Sequence, residues 1–215
     1  MNDPNWDTRP LPAVVHDWAE DVSDYLCSLY AQVKEDADDP STDADWEFYQ
    51  REKEYTLGDD DIHWIVEGSE RTVVYLGRTW NGKPLFHDRA GLVIKFQPSV
   101  EVSENPTAAA NHQAIETFTE ICQRGDEDLV APFYGAADNG SWIAQKYAIP
   151  VNPPRSGDSS PRDWIRDTSE KQLREKFKRR CQKRGLSVNV SRGNVGVNEA
   201  GDAVLTDIGG HTDYS

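Results

Sequence analysis

The apolar residues of this chain change their spacing at Ile62, and that change limits the fold to a helical leader followed by a sheet-rich unit. Before it, Val15, Trp18, Val22, Tyr25, Leu26, Leu29 and Val33 recur at steps of three and four. That period predicts a helix from about Leu11 to Glu35 with the stripe packed in a core, or docked on a partner helix, and with Asp17, Glu20, Asp21 and Asp24 in solvent. After it, Ile62, Trp64 and Val66 alternate, Val73, Val74 and Leu76 follow Arg71 with strand-like spacing, and Asn81-Gly82 marks a turn. Leu92 to Phe96 reads as a third strand, Ala108 to Gln123 as a helix with Ile115, Phe118 and Ile121 inward. Leu129 to Tyr134 and Trp142 to Tyr147 complete the pattern around a turn at Asp138-Asn139-Gly140. The expected result is a five-stranded antiparallel sheet with one inserted helix.

Two stretches interrupt these elements. Asp36 to Asp45 is dense in Asp and too poor in apolar residues to pack, so a linker is expected there, followed by a short aromatic helix from Trp46 to Glu54. Pro150, Pro153, Pro154, Ser156, Gly157 and Pro161 mark a second linker. A basic helix from about Arg162 to Arg184, with Trp164, Ile165, Leu173 and Phe177 apolar, then leads to a short hairpin over Val195 to Asp202 and the run Ala203-Val204-Leu205 before Asp207-Ile208-Gly209. The division that follows is 1–61 as a helical extension and linker, 62–148 as the sheet lobe, and 149–215 as a small helical lobe ending in the hairpin. No internal repeat is present.

With 38 Asp and Glu against 23 Lys and Arg, the net charge of −15 disfavours a nucleic-acid backbone or an anionic membrane surface as a partner. The Asp-rich excess predicts a cytoplasm with molar salt, that of a salt-loving microbe or its virus. Cys27, Cys122 and Cys181 are odd in number and lack metal-ligand spacing, which predicts reduced thiols. No run approaches a bilayer span, and Met1-Asn2-Asp3-Pro4 lacks the parts of a signal peptide, so a cytoplasmic protein is expected.

Lys95 lies in Gly91-Leu92-Val93-Ile94-Lys95-Phe96, where a strand buried on both faces makes an unpaired ammonium costly. It needs an anionic partner, and Glu116 on the following helix is the expected one, with Glu120 next in line. At the far end of the chain, a strand delivers Asp207 thirteen residues after Asn194, which closes a tight loop. A carboxylate and an amide oxygen so placed can share one Mg²⁺, as phosphate-handling sites do.

The order of these elements resembles the protein-kinase-like fold. Gly68-Ser69-Glu70-Arg71-Thr72-Val73 is similar to a shortened glycine-rich loop, and Val93-Ile94-Lys95 to the family's strand Lys motif. Gln145-Lys146-Tyr147-Ala148 falls where the adenine-holding hinge lies. Ser191-Arg192-Gly193-Asn194 resembles the end of the catalytic loop, and Asp207-Ile208-Gly209 the metal-binding Asp-Phe-Gly motif, so the resemblance runs from about Ile62 to Gly209. It implies an α+β fold with a five-stranded N-lobe and a truncated helical C-lobe. It also implies ATP as cofactor held by Gly68, Ser69, Lys95, Gln145 and Tyr147, and Mg²⁺ held by Asn194 and Asp207. Lys95 and Glu116 would form the ion pair that orients phosphates.

Two departures bear on activity. The position of the proton-accepting Asp, five residues before Asn194, is Asn189, and an amide cannot act as that base. His211 is the one nearby substitute. Six residues follow Gly209, so no peptide-docking platform is expected. The basic run Lys176, Lys178, Arg179, Arg180, Lys183 and Arg184 is expected as a solvated face, paired with the acidic first helix. These features predict a nucleotide-binding, kinase-like protein whose transfer activity is lost or weak. The alternatives are a minimal phosphotransferase on a small molecule or partner protein, and an acidic interaction protein that binds no nucleotide and whose first helix captures a partner while the remainder folds alone.

Overall fold

Alternating apolar residues build an antiparallel sheet, and the first helix closes one side of it. The computed structural model describes residues 11–36, 64–67, 71–77, 79–80, 83–84, 91–98, 110–150, 170–190, 194–198, 200–208 and 213–214. Helix α1 (Ala13–Asp36) is followed by β1 (Trp64–Glu67), β2 (Thr72–Gly77), β3 (Thr79–Trp80), β4 (Lys83–Pro84) and β5 (Leu92–Phe96). Helix α2 (Ala110–Gln123), β6 (Phe133–Ala136), β7 (Trp142–Lys146) and β8 (Ile149–Pro150) come next. Helix α3 (Glu170–Gln182), β9 (Leu186–Ser187), β10 (Val195–Val197), β11 (Ala203–Leu205) and β12 (Asp213–Tyr214) complete the order. The main sheet runs β1-β2-β5-β7-β6 with every neighbouring pair antiparallel, so the architecture is α+β as the period change predicts. The expected aromatic helix at Trp46 to Glu54, Ile62, Trp164, Ile165 and most of both expected linkers lie outside the described residues.

The register decides which face each residue serves. Val74, Leu76, Leu92, Ile94, Phe96, Trp142 and Ala144 form one core with Val15, Ala19, Val22, Leu26 and Val33 of α1. Trp18 meets Phe96 edge-on at 5.9 Å, the Trp142 indole donates to Glu20 Oε1 at 3.1 Å, and the Ser23 hydroxyl donates to that of Ser141 at 2.7 Å. The stripe of α1 is therefore packed in a core with the chain's own sheet, the first of the two arrangements its spacing predicts. Tyr25 is a correction: it is 39% exposed, because small residues at four-residue steps, Ala19, Ser23 and Cys27, take the side that lies against the sheet. Glu20, expected in solvent, is instead the acceptor for Trp142.

The opposite side of the sheet and the C-terminal elements share a second core. Ala114, Phe118, Ile121 and Cys122 of α2 join Phe133, Ile143, Phe177, Val195, Leu205 and Ile208, with Phe118 and Phe133 stacked at 4.4 Å. The strand expected from Leu129 begins four residues later. Glu127–Leu129 forms a single 3-10 turn, Pro132 has no N–H to donate, and the Ala131 N–H is drawn instead to Leu205 O at 2.9 Å. A parallel bridge between Val130 and Leu205 thus joins the sheet lobe to the terminal hairpin.

Ile149–Pro150, read from sequence as the start of a linker, is instead the edge strand of the small sheet β11-β10-β8. Its close approach requires a residue without a side chain at Gly196: a Cβ there would lie 2.7 Å from Thr206 Cγ2 and 2.9 Å from Ala148 Cβ. The hairpin turn is organised by Asn198, whose Oδ1 accepts from Ala200 N and Asp202 N at 3.0 and 2.9 Å.

The basic helix runs over Glu170–Gln182 among the described residues, the expected start at Arg162 lying outside them, and its charges pair elsewhere than expected. Arg180 donates to Asp128 and to Ala203 O, and Arg184 to Asp126 and Asp128. These guanidiniums hold the Asp128 carboxyl below the usual carboxylate range, the Arg184 hydrogen bond being the largest cause. The acidic partners of Arg180 and Arg184 are thus in the turn after α2, whereas the sequence predicts them on α1. Cys27, Cys122 and Cys181 are buried thiols that form no disulfide among the described residues. Among the described residues no helix is long and apolar enough to cross a membrane.

Replacing Gly196 by Ala is expected to cost about 1–3 kcal/mol, since the added methyl meets Ala148 and Thr206 on both sides. Urea midpoints of the variant and wild type measure this, and an unchanged midpoint would show that the hairpin gives way freely.

Candidate functional site

The pairing of β5 with its two neighbours sends Lys95 to the side of the sheet away from α1. Val73 and Ile143 stand opposite Lys95 on β2 and β7, and Tyr75 and Gln145 stand opposite Val93. These residues share one face. Its floor is Val73, Tyr75, Val93 and Tyr147, with the two tyrosine rings 4.4 Å apart.

The terminal hairpin closes over the polar end of this floor. Thr206 is the link: its N–H donates to Asn194 O at 2.9 Å, and its carbonyl accepts from Lys95 Nζ. The next residue is Asp207, whose Oδ1 lies 3.5 Å from Lys95 Nζ and also accepts a hydrogen bond from Arg71 Nη2 at the start of β2. Strand Lys, hairpin Asp and the backbone carbonyl of Asn194 therefore meet around one residue, Thr206. No local contact makes this pairing; it follows from the anchoring of β10 and β11 on β8 and Ala131.

Gln145 strengthens the same junction from the sheet side. Its buried side-chain amide donates to Ala131 O at 3.1 Å, and Ala131 is the residue that donates to Leu205. Tyr147 N–H is taken by Gly91 O at 3.1 Å and Lys146 N–H by Pro132 O at 2.8 Å. In this arrangement Gln145 and Tyr147 tie the end of β7 and the segment after it to their neighbours.

Models of known protein families and curated proteins were compared with the chain, and none matches.

Burial sets the electrostatics. The Lys95 side chain is 8% exposed, and desolvation pulls its ammonium down to about 8; Asp207 opposes the shift and Arg71 adds to it. For Asp207, burial pushes the carboxyl up, but the charges and hydrogen bonds of Lys95 and Arg71 outweigh that and hold it below the ordinary range. Two cations thus share one carboxylate. The local charge is positive in a protein that carries −15 overall.

Glu116 is not the partner of Lys95. The inward positions of α2 are Asn111, Ala114, Phe118, Ile121 and Cys122, and Glu116 stands two residues from both Ala114 and Phe118, which turns it to the exposed side. Glu120, the second choice, pairs with Arg124 at 2.9 Å on the surface. What α2 brings to β5 is Asn111, whose N–H is capped by Gln97 Oε1 at 2.8 Å and whose amide donates to Lys95 O and Gly140 O. Asn189 is exposed on the segment after β9, next to Val190, whose carbonyl accepts from Arg174. Gly68, Ser69 and His211 lie outside the described residues.

The donors suit an anion better than Mg²⁺. That ion takes about six oxygens in near-octahedral array. Here one oxygen of Asp207 already serves a guanidinium and an ammonium, and among the described residues no three His, Cys, Asp or Glu side chains gather as a metal site. Arg71 is the residue that sequence reasoning missed. It precedes a strand and borders the glycine turn, and nothing near it in sequence signals a carboxylate partner 136 residues away.

Replacing Lys95 by Met is expected to stabilise the fold at pH 7, because it removes a desolvated charge while Arg71 still pairs with Asp207. Native Lys95 loses its proton near pH 8, whereas the unfolded chain keeps it to about 10.5, so between those values the unfolded state binds more protons and wild type gains stability. The gap to Lys95→Met should therefore close by on the order of 3 kcal/mol over that window. Cys181, pushed up to about 11 by burial, and Tyr147, also raised, cost both proteins stability at high pH and cancel in the difference. Urea midpoints of the two proteins from pH 7 to 10 test it; a gap that does not move with pH contradicts a desolvated ammonium.

Proposed function

We propose that the chain is a kinase-like protein that binds ATP, led by its phosphates, with phosphoryl transfer lost or weak. The observation that carries this reading is the convergence of Lys95 on β5 and Asp207 just after β11, 3.5 Å apart although far apart in sequence. The order of elements between them, a helix, two strands and a hinge, a second helix and the Asn194 loop, agrees with the resemblance set out above. Lys95 and Arg71 offer positive charge to phosphate oxygens at a site sheltered from water, where such contacts are stronger than in solvent.

The base would lie along the floor of Val73, Tyr75, Val93 and Tyr147. Rings 4.4 Å apart leave no gap for a planar base between them, so one enters only as they part. The phosphates therefore supply most of the affinity in this reading. Transfer is limited by Asn189. Positioning and charge neutralisation still favour in-line displacement, but no residue at that place accepts the proton of an acceptor hydroxyl.

A melting curve with ATP present tests the binding. At a concentration 100 times its Kd a ligand stabilises by about 2.7 kcal/mol, equivalent to about 5–11 °C for a chain of this size. Lys95→Met, which keeps the buried strand apolar, is expected to abolish the rise. No rise in wild type from low to molar salt would overturn the reading.

Labelled γ-phosphate distinguishes a silent site from a slow one. Wild type is expected to transfer no more label to itself or to lysate than Lys95→Met does, while Asn189→Asp raises transfer by up to about 10²–10⁴, the range of a positioned base. Wild-type labelling far above the Lys95→Met control would assign an active transferase instead.

A further inference from the structure

We propose that Arg71, and not a divalent cation, supplies the counter-charge at Asp207, so that this site takes a nucleotide polyphosphate without a metal ion. The inference rests on the nucleotide reading above and goes beyond it. Three observations carry it. The Arg71 side chain is 11% exposed, and its Nη2 donates to the same Asp207 oxygen that faces Lys95. Its Nη1 is buried and has no hydrogen-bond partner among the described residues. Among the described residues the cluster then holds two positive groups against one carboxylate, one unit of charge short of neutrality.

Each observation has a chemical consequence. A buried guanidinium N–H without an acceptor is costly, and a phosphate oxygen is the acceptor that matches its planar fork. An anion also corrects the charge imbalance that the protein leaves. A divalent cation does the opposite: it would enter beside an ammonium and a guanidinium and compete with both for a carboxylate that already serves them. Displacing Arg71 to admit the ion would leave a largely buried guanidinium without its carboxylate. Asn194 cannot make up the missing charge, since its amide is neutral.

The carbonyl of Thr206 assigns the remaining geometry. It accepts one proton of the Lys95 ammonium, Asp207 Oδ1 lies 3.5 Å from the same nitrogen, and an ammonium has three protons, so one remains for a further acceptor beside Arg71, which holds the same carboxylate oxygen. Two cations fixed by one carboxylate and one carbonyl form a preorganised cradle for adjacent phosphate oxygens.

Equilibrium dialysis of the full-length protein with labelled ATP, once in EDTA and once in Mg²⁺, tests this directly. Wild type is expected to bind in EDTA within about threefold of its affinity in Mg²⁺. Arg71→Gln should lose about tenfold or more in EDTA and recover when Mg²⁺ is added, because Asp207 is then released to the metal. Arg71→Lys, which keeps the charge if the Gln variant folds poorly, should retain metal-free binding but more weakly, lacking the planar fork. Binding by wild type in Mg²⁺ alone overturns this proposal and leaves the nucleotide reading standing. Binding in neither condition, by protein whose circular dichroism is native, overturns both.

Discussion

An ammonium buried in the middle of a sheet is the constraint on which the remaining structure depends. Lys95 occupies a strand whose alternate residues are sealed by α1 on one side and whose own side is walled by Val73, Val93 and Ile143. Leaving such a charge unpaired is among the most costly single defects a small domain can carry. The carboxylate that answers it arrives from the terminal hairpin, and so the hairpin must dock. The Val130–Leu205 bridge, the pairing of β8 with β10 and the Gln145–Ala131 hydrogen bond all hold it in that place. Burial of Val195, Leu205 and Ile208 stabilises the docked state, and the ion pair fixes its register.

How much of this the residues disclose in advance depends on how far apart the interacting groups lie. The helix stripe and the strand alternation are local, so α1, α2, β2, β5 and β7 fall close to where the period places them. That Lys95 requires an anion is local too. Which anion is not: Glu116 is the first carboxylate on the helix that follows β5, and only the inward phase of α2, set by Phe118 and Ile121 against Phe133, turns it out to solvent. The displaced start of β6 has the same origin, because Ala131 exchanges a strand partner for Leu205 across a long loop closure. Arg71 was illegible for a further reason. A cation at the start of a strand is ordinary, and its significance lies wholly in the carboxylate folded against it.

Charge is distributed more finely than the net value suggests. The acidic face of α1 is left in water, with Asp17, Asp21 and Asp24 exposed, whereas the arginines of the C-terminal helix are used as braces. Arg180 and Arg184 each reach Asp128, and Arg180 also caps Ala203 O at the edge of the small sheet. Exposed pairs of this kind contribute little apiece, and less in concentrated salt. Their value here is geometric, since they join the turn after α2 to the strand that precedes Asp207. Lys176, Lys178, Arg179 and Lys183 remain on the outer side of the helix.

The same docking that satisfies Lys95 also decides what the site can do. Gly196 lets the hairpin approach to within contact of Ala148, and Thr206 uses both of its backbone groups, one on Asn194 and one on Lys95. Asp207 is thereby fixed by packing. A carboxylate fixed in this way cannot swing towards an incoming ion without unseating two cations, whereas an incoming anion finds both already aligned. The cost of ordering the charges is met when the chain folds rather than when a ligand arrives, and the proposed recognition led by phosphate rests on that in a protein whose overall charge would otherwise repel it.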